Sequence, residues 1–126
     1  MSNSGPTVLV VDDDLVILKL LQVNFEMEGF SVLTATDGIE GLSAAREERP
    51  DVIVSDVMMP RMNGLELVAA LEADAGTRDI PVILLSARAQ GTDVTNGLAA
   101  GADDYVTKPF EPLELVDRVN RLLRHR

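Results

Sequence analysis

Apolar residues along this chain follow two patterns. Some form short unbroken runs, and others recur every three or four residues over longer stretches. Val8-Leu9-Val10-Val11, Val52-Ile53-Val54 and Val82-Ile83-Leu84-Leu85 are runs of the first kind, too short for helices and rich in branched residues. They read as buried strands. Ser31 to Ala35 and the shorter Tyr105-Val106 read as two more. Between them the spacing is helical: Leu15 to about Glu28, with Leu18, Leu21 and Phe25 on one face; Ile39 to Glu48; Leu65 to Leu71; Thr92 to Ala100, with Gly97 inside it; and Leu113 to Leu123, with Leu113, Val116, Val119 and Leu123 facing inward. Gly29 is expected as a left-handed helix stop, Pro50 as a block, Asp37-Gly38, Pro60 and Asn63-Gly64 as turn residues, and Gly101 as the stop of the fourth helix. Asp14 stands where the first helix needs an N-cap.

Five strands alternating with helices, several of them continuously apolar, imply a parallel sheet covered on both faces. Right-handed crossovers leave few arrangements. The expected fold is a flavodoxin-like (βα)5 three-layer sandwich with strand order 2-1-3-4-5. One domain is expected over residues 7–124, between a flexible segment, 1–6, and a short tail, 125–126. Ligands of such sheets sit beyond the carboxyl ends of the strands, where strands 1 and 3 lie side by side.

That edge gathers residues distant in sequence. The first strand ends on Asp12 and Asp13, the third on Asp56, the fourth on Ser86 and the fifth on Lys108. Clustered carboxylates repel and raise one another's pKa unless a cation joins them. An all-oxygen donor set with water suits magnesium, with manganese as the alternative. A carboxylate beside such an ion is a nucleophile for phosphorus. Lys108 supplies a point charge for a phosphoryl oxygen, and Ser86 a hydroxyl.

Composition narrows the choice. The 126 residues are 46% hydrophobic, enough for an ordinary core, and carry a net charge of −10. That charge disfavours direct nucleic-acid binding and suits a bound cation or a basic partner. With no cysteine and a single histidine, His125 near the end of the chain, thiolate chemistry is excluded and histidine catalysis disfavoured. Met1 to Thr7 lacks the pattern of a signal peptide and no run reaches membrane-span length, so a cytoplasmic protein is expected. No Gly-x-Gly-x-x-Gly follows the first strand, which disfavours nucleotide binding.

Taken together, Val10-Val11-Asp12-Asp13, Asp56 through Met59-Pro60 to Asn63-Gly64, Ser86-Ala87, Gly101 to Tyr105, and Lys108-Pro109-Phe110 resemble the receiver domain of two-component response regulators, over Thr7 to Leu123. The resemblance implies a phosphoacceptor at Asp56. It implies magnesium held by Asp13, Asp56 and the Met58 backbone carbonyl, with Asp12 acting through water. It also implies switch residues at Ser86 and Tyr105, a phosphate-binding Lys108, a cis Lys108-Pro109 bond, and tuning of the phosphoryl lifetime by Met58 and Arg88. The implied donor is a phosphohistidine on a sensor histidine kinase or a histidine phosphotransfer protein. The implied output face comprises the fourth helix, fifth strand and fifth helix, where a homodimer is one arrangement. Such a domain is a regulatory phosphoacceptor rather than an enzyme. Four further readings remain at the level of residues. Asp12-x-Asp14-x-Val16 also fits a haloacid-dehalogenase-type phosphatase with Asp12 as nucleophile and Asp14 as acid/base. Tyr105 also reads as a half-buried core aromatic. Asp103 and Asp104 read as turn residues without chemistry, and Leu15 and Val16 equally as an exposed contact for a partner helix or as ordinary helix packing.

Overall fold

In the computed structural model, which describes residues 5–87 and 91–125 (with the side chains of 91 and 92 left aside), the apolar runs become the centre of a sheet. Met1 to Ser4, Arg88 and Arg126 lie outside the described residues. Among the described residues the order is β1 (Thr7–Val11), α1 (Leu15–Met27), β2 (Ser31–Ala35), α2 (Gly38–Glu48), β3 (Val52–Asp56), α3 (Gly64–Glu72), β4 (Val82–Ser86), α4 (Gly91–Ala99), β5 (Asp104–Thr107) and α5 (Pro112–Arg124). The strands are all parallel in the order β2-β1-β3-β4-β5, as expected. No helix among the described residues is long and apolar enough to cross a membrane.

Successive side chains of a strand point to opposite faces, so each central strand feeds two cores. Val8, Val10, Val52, Val54, Ile83 and Leu85 pack with Leu18, Leu21 and Phe25 of α1 and with Leu115, Val116 and Val119 of α5. Leu9, Val11, Ile53, Val82 and Leu84 pack with Ala45 of α2 and with Leu67, Val68 and Leu71 of α3. Every residue of β3 and β4 is buried, which is why those runs show no polar alternation.

The helix ends follow local chemistry. Asp14 caps α1, its Oδ1 accepting from the Val16 N–H at 2.9 Å and the Ile17 N–H at 3.3 Å, and Gly29 follows in the left-handed region at φ 92°. At the end of α2 the left-handed residue is Arg49, φ 47°, immediately before Pro50. The Asn63-Gly64 pair is not a turn. Asn63 caps α3 in a reciprocal box with Glu66, and Gly64 is the first helical residue. A Cβ on Gly64 would meet the Asp56 carbonyl oxygen and lie 2.9 Å from Val57 Cα, so glycine lets α3 start against the end of β3.

Two expectations need correction. Leu113 does not face inward: it is 64% exposed, and the buried stripe of α5 runs through Leu115, Val116 and Val119, with Leu123 only partly buried at its margin. The helix is rotated so that its apolar arc centres on Leu115 and Val119, leaving Leu113 in the first turn outside it. Asp103 and Asp104 do more than form a turn. The Asp103 backbone N–H donates to the Val82 carbonyl at 2.8 Å and its Oδ2 accepts from the Val82 N–H at 2.8 Å, clamping β5 to the start of β4. Asp104 begins β5 and accepts two hydrogen bonds from Arg118 Nη1, at 3.0 and 2.9 Å, tying β5 to α5. Arg118 also reaches Glu114, one turn back on α5, at 3.4 Å.

Gly97, a weak point of the fourth helix by propensity, has a packing reason. A Cβ there would lie 2.8 Å from Tyr105 Cδ2 and 3.2 Å from Leu84 Cδ1. The glycine lets the tyrosine ring lie directly on the α4 backbone. An exposed glycine-to-alanine change in a helix stabilises by about 1 kcal/mol. Here Gly97→Ala is expected to destabilise by roughly 1–2 kcal/mol, because overpacking outweighs propensity. Thermal unfolding reads the sign, and the near-ultraviolet signal of the single tyrosine reads displacement of its ring. A stabilised Gly97→Ala protein with an unchanged tyrosine signal contradicts this account.

Candidate functional site

The buried runs of β1 and β3 lie side by side and end together, which brings their terminal carboxylates into one place. Asp12 follows β1 directly and is 1% exposed, its N–H donating to the Ala35 carbonyl at 3.1 Å. Its Oδ1 accepts from the Asp14 N–H at 2.9 Å. Asp56 is the last residue of β3 and is 6% exposed. Asp13 is exposed at the rim. One carboxylate oxygen from each of Asp12, Asp13 and Asp56 can be chosen so that all lie within 4.8 Å of one another.

The cation comes from the far side of the sheet. β5 pairs with β4 so that Ser86 is level with Thr107, and the Lys108 N–H then donates to the Ser86 carbonyl at 2.7 Å. The Lys108-Pro109 bond is cis, as the resemblance implies. Lys108 Nζ lies 3.3 Å from Asp12 Oδ2 and 3.3 Å from Asp56 Oδ1. Ser86 is fully buried at the end of the neighbouring strand. The structure thus brings Asp12, Asp13, Asp56 and Lys108 into one cluster, with Ser86 beside Lys108 through the backbone. Tyr105 is not in that cluster. It is half-buried, packs over Gly97, and with Val57, Met58, Asn63, Leu65, Asp93 and Asn96 lines a cavity of about 220 Å³. The Met58 side chain is 56% exposed.

The electrostatics are those of a site short of positive charge. Burial, then the neighbouring charge of Asp12, pushes the Asp56 carboxyl above its ordinary value despite Lys108. Burial also raises Asp12, against the Asp14 N–H and Lys108. For Lys108, burial opposes the charge, but Asp56 and Asp12 outweigh it and hold the ammonium protonated. A carboxylate whose folded pKa exceeds its unfolded value binds protons more readily when folded. The metal-free domain should therefore gain stability from Asp12 and Asp56 as the pH falls through their raised values, the gain being complete below the ordinary carboxylate range. Asp37 works in the opposite sense: the Glu40 N–H, with Arg61 in support, holds it low, so its contribution is lost only as the pH falls through that depressed value. The expected result, in chelator, is an unfolding midpoint that rises from neutral to about pH 5, with Asp12→Asn flattening the rise. A falling or flat profile that Asp12→Asn leaves unchanged contradicts it.

A hard divalent cation fits this donor set, since carboxylate oxygens converge without imidazole or thiolate. One feature around the site was missed in the sequence. Asp37, read only as a turn residue, caps α2 and pairs with Arg61 on the β3–α3 loop. The signal available was Glu40, three residues on, in the spacing of a helix start.

A parallel sheet in this order, with three carboxylates and a lysine at its carboxyl edge, defines a class, and comparison with known proteins gives the same one. Residues 8–120 match the family described as response regulator receiver domain, and the chain belongs to that family. It is 50% identical over 123 residues to the transcriptional regulatory protein PrrA of Mycobacterium tuberculosis, an alignment covering 98% of this chain and 52% of that protein. The chain thus spans about half the length of the curated relatives it matches. Among solved structures, the receiver domain of the Francisella response regulator 1452 superposes with a TM-score of 0.91 at 40% identity, covering 96% of this chain and 98% of that one. The receiver domain of the sensor histidine kinase PA1611 from Pseudomonas aeruginosa, which has a magnesium ion coordinated in its active-site cleft, superposes with a TM-score of 0.88 at 31% identity, covering 95% and 98%. The phosphatase alternative finds no support in these comparisons, and Asp14, its acid/base, is engaged in capping α1.

Proposed function

We propose that this receiver domain accepts a phosphoryl group on Asp56 from a phosphohistidine of a sensor kinase or phosphotransfer protein, and that Asp12, Asp13, Asp56 and the Met58 carbonyl hold the magnesium ion this requires. The observation that carries the reading is the position of Lys108 Nζ, 3.3 Å from both Asp12 and Asp56 within a carboxylate cluster. When bound, the ion neutralises charge on the phosphoryl oxygens. The residues of the chain do the rest. An Asp56 carboxylate oxygen attacks phosphorus, the P–N bond of the donor breaks, and the electron pair leaves with the imidazole. The Lys108 ammonium turns from its carboxylate partners to a phosphoryl oxygen, and the Ser86 hydroxyl hydrogen-bonds another. Burial of Asp12 and Asp56 keeps water from competing for these contacts.

Tyr105 carries the change outward. It rests on Gly97 of α4, beside a cavity bordered by Asn96 and Met58. Movement of Ser86 and the ring reshapes the face made by α4, β5 and α5, which then engages a downstream partner or a second copy of the chain. Incubation with acetyl phosphate and magnesium, followed by peptide mapping, should place one phosphoryl group on Asp56, removed by hydroxylamine as an acyl phosphate is. Modification at another residue, or uptake unaffected by chelator, overturns the reading.

A further inference from the structure

The loop between β3 and α3 carries the Met58 carbonyl and is fastened from outside the site. At its base the Gly64 N–H donates to the Val57 carbonyl at 2.9 Å. Further along, the Met62 carbonyl accepts from the Gly38 N–H at 3.1 Å. Between these ties Arg61 adopts a left-handed backbone, φ 66°, which a non-glycine residue holds only when its surroundings enforce it. Two contacts enforce it: the Met62 N–H donates to the Pro60 carbonyl at 2.7 Å, closing the turn across Arg61, and the side chain is tied to Asp37. Arg61 Nε donates to Asp37 Oδ2 at 3.0 Å and its Nη2 lies 2.7 Å from the same oxygen. Asp37 Oδ1 is committed to the Glu40 N–H at 2.8 Å, so the carboxylate is fixed to the start of α2 and cannot follow the loop.

We propose that Asp37 and Arg61 form a positioning latch that sets the backbone at Met58 and thereby raises divalent-cation affinity, without either residue joining the ligand set. The proposal rests on the metal reading given above. Its logic is that a backbone carbonyl cannot be aimed by its own side chain: it goes where the loop is held. Released from Asp37, the strained turn at Arg61 relaxes, and the segment from Met58 to Pro60 is left with only the Gly38–Met62 tie to the start of α2. Supporting contacts of this kind change metal affinity by about tenfold or more.

Coulomb's law and the latch predict opposite signs. Removing Arg61 makes a chain of net charge −10 more negative, which alone tightens binding of a dication. The latch requires weaker binding. The control is Arg46 in the last turn of α2, a similarly exposed arginine that pairs with the more open Asp74 at 3.0 Å. Magnesium affinity by titration calorimetry of the whole chain, with urea unfolding in chelator alongside, separates the possibilities. Arg61→Asn, chosen because asparagine tolerates a left-handed backbone, should bind magnesium about tenfold more weakly. Arg61→Lys should be intermediate, and Arg46→Gln equal to or tighter than the parent. Urea midpoints should change little, since Arg61 is 60% exposed and the buried Asp37 keeps its bond from the Glu40 N–H. Parental affinity in Arg61→Asn, or equal weakening in Arg46→Gln, overturns the latch and leaves the metal reading intact. A urea midpoint that falls in step with affinity overturns it in favour of a purely structural role. Absence of magnesium uptake by the parent protein overturns the metal reading itself.

Discussion

Asp56→Asn is expected to take up no phosphoryl group from acetyl phosphate and magnesium, yet to remain folded and to be more stable than the parent in chelator. Both halves follow from the same geometry. The amide has the shape of the carboxylate, so the buried end of β3 keeps its packing. What goes is the nucleophilic oxygen pair and one charge of a crowded set. Burial and the neighbouring Asp12 push the Asp56 carboxyl above its ordinary value, so ionised Asp56 destabilises the metal-free fold. Lys108 loses one of its two partners and keeps Asp12. Intact-mass spectrometry and thermal unfolding measure the two effects. Residual uptake at the parental level would remove Asp56 from its role, and a lowered midpoint would contradict the electrostatic account.

Phe25→Ala should cost about 3–5 kcal/mol, a large part of the roughly 5–15 kcal/mol that holds a domain together. Phe25 is fully buried between α1 and the sheet and meets Phe30 edge to face, ring centres 5.1 Å apart at 77°. Truncation removes apolar area, leaves a cavity no backbone can fill, and dissolves the aromatic pair. The unfolding midpoint should fall by roughly 10–20 °C. Leu113→Ala, at a 64% exposed position, should change stability by no more than about 0.5 kcal/mol. If the two variants were equally destabilised, the placement of the α5 stripe would be wrong. Because Phe25 lies far along α1 from Asp14 and the carboxylates, the folded fraction of Phe25→Ala should still accept phosphoryl groups in the cold.

How much of this was readable beforehand differs by kind of feature. The strands were legible because β1, β3 and β4 are buried on both faces and so are spelled as unbroken apolar runs. Crossover handedness then left few orders, the flavodoxin-like one was the expectation, and convergence of Asp12, Asp13, Asp56 and Lys108 followed from it. The rotation of α5 was not legible: Leu113, Leu115 and Val116 are all apolar, and only packing decides which of them turn inward. Nor were the ties between elements. Asp103 to Val82, Asp104 to Arg118 and Asp37 to Arg61 depend on where loops and helix faces meet, which periodicity does not encode. The β3–α3 loop shows this most sharply. Its composition pointed to Asn63-Gly64 as the turn, whereas the left-handed residue is Arg61 and Asn63 is extended, at φ −80°, as a helix cap.

Lys108 and Tyr105 are three residues apart on a single edge ribbon, one reaching the carboxylates and the other lying against α4. Under the proposed function, reactivity and readout therefore share one short strand, β5. By thermodynamic reciprocity, a protein that grips that ribbon more tightly after modification must also bias the equilibrium toward modification by the same factor. A receptor for the output surface is then, unavoidably, a co-regulator of how much of the domain carries phosphate at any moment.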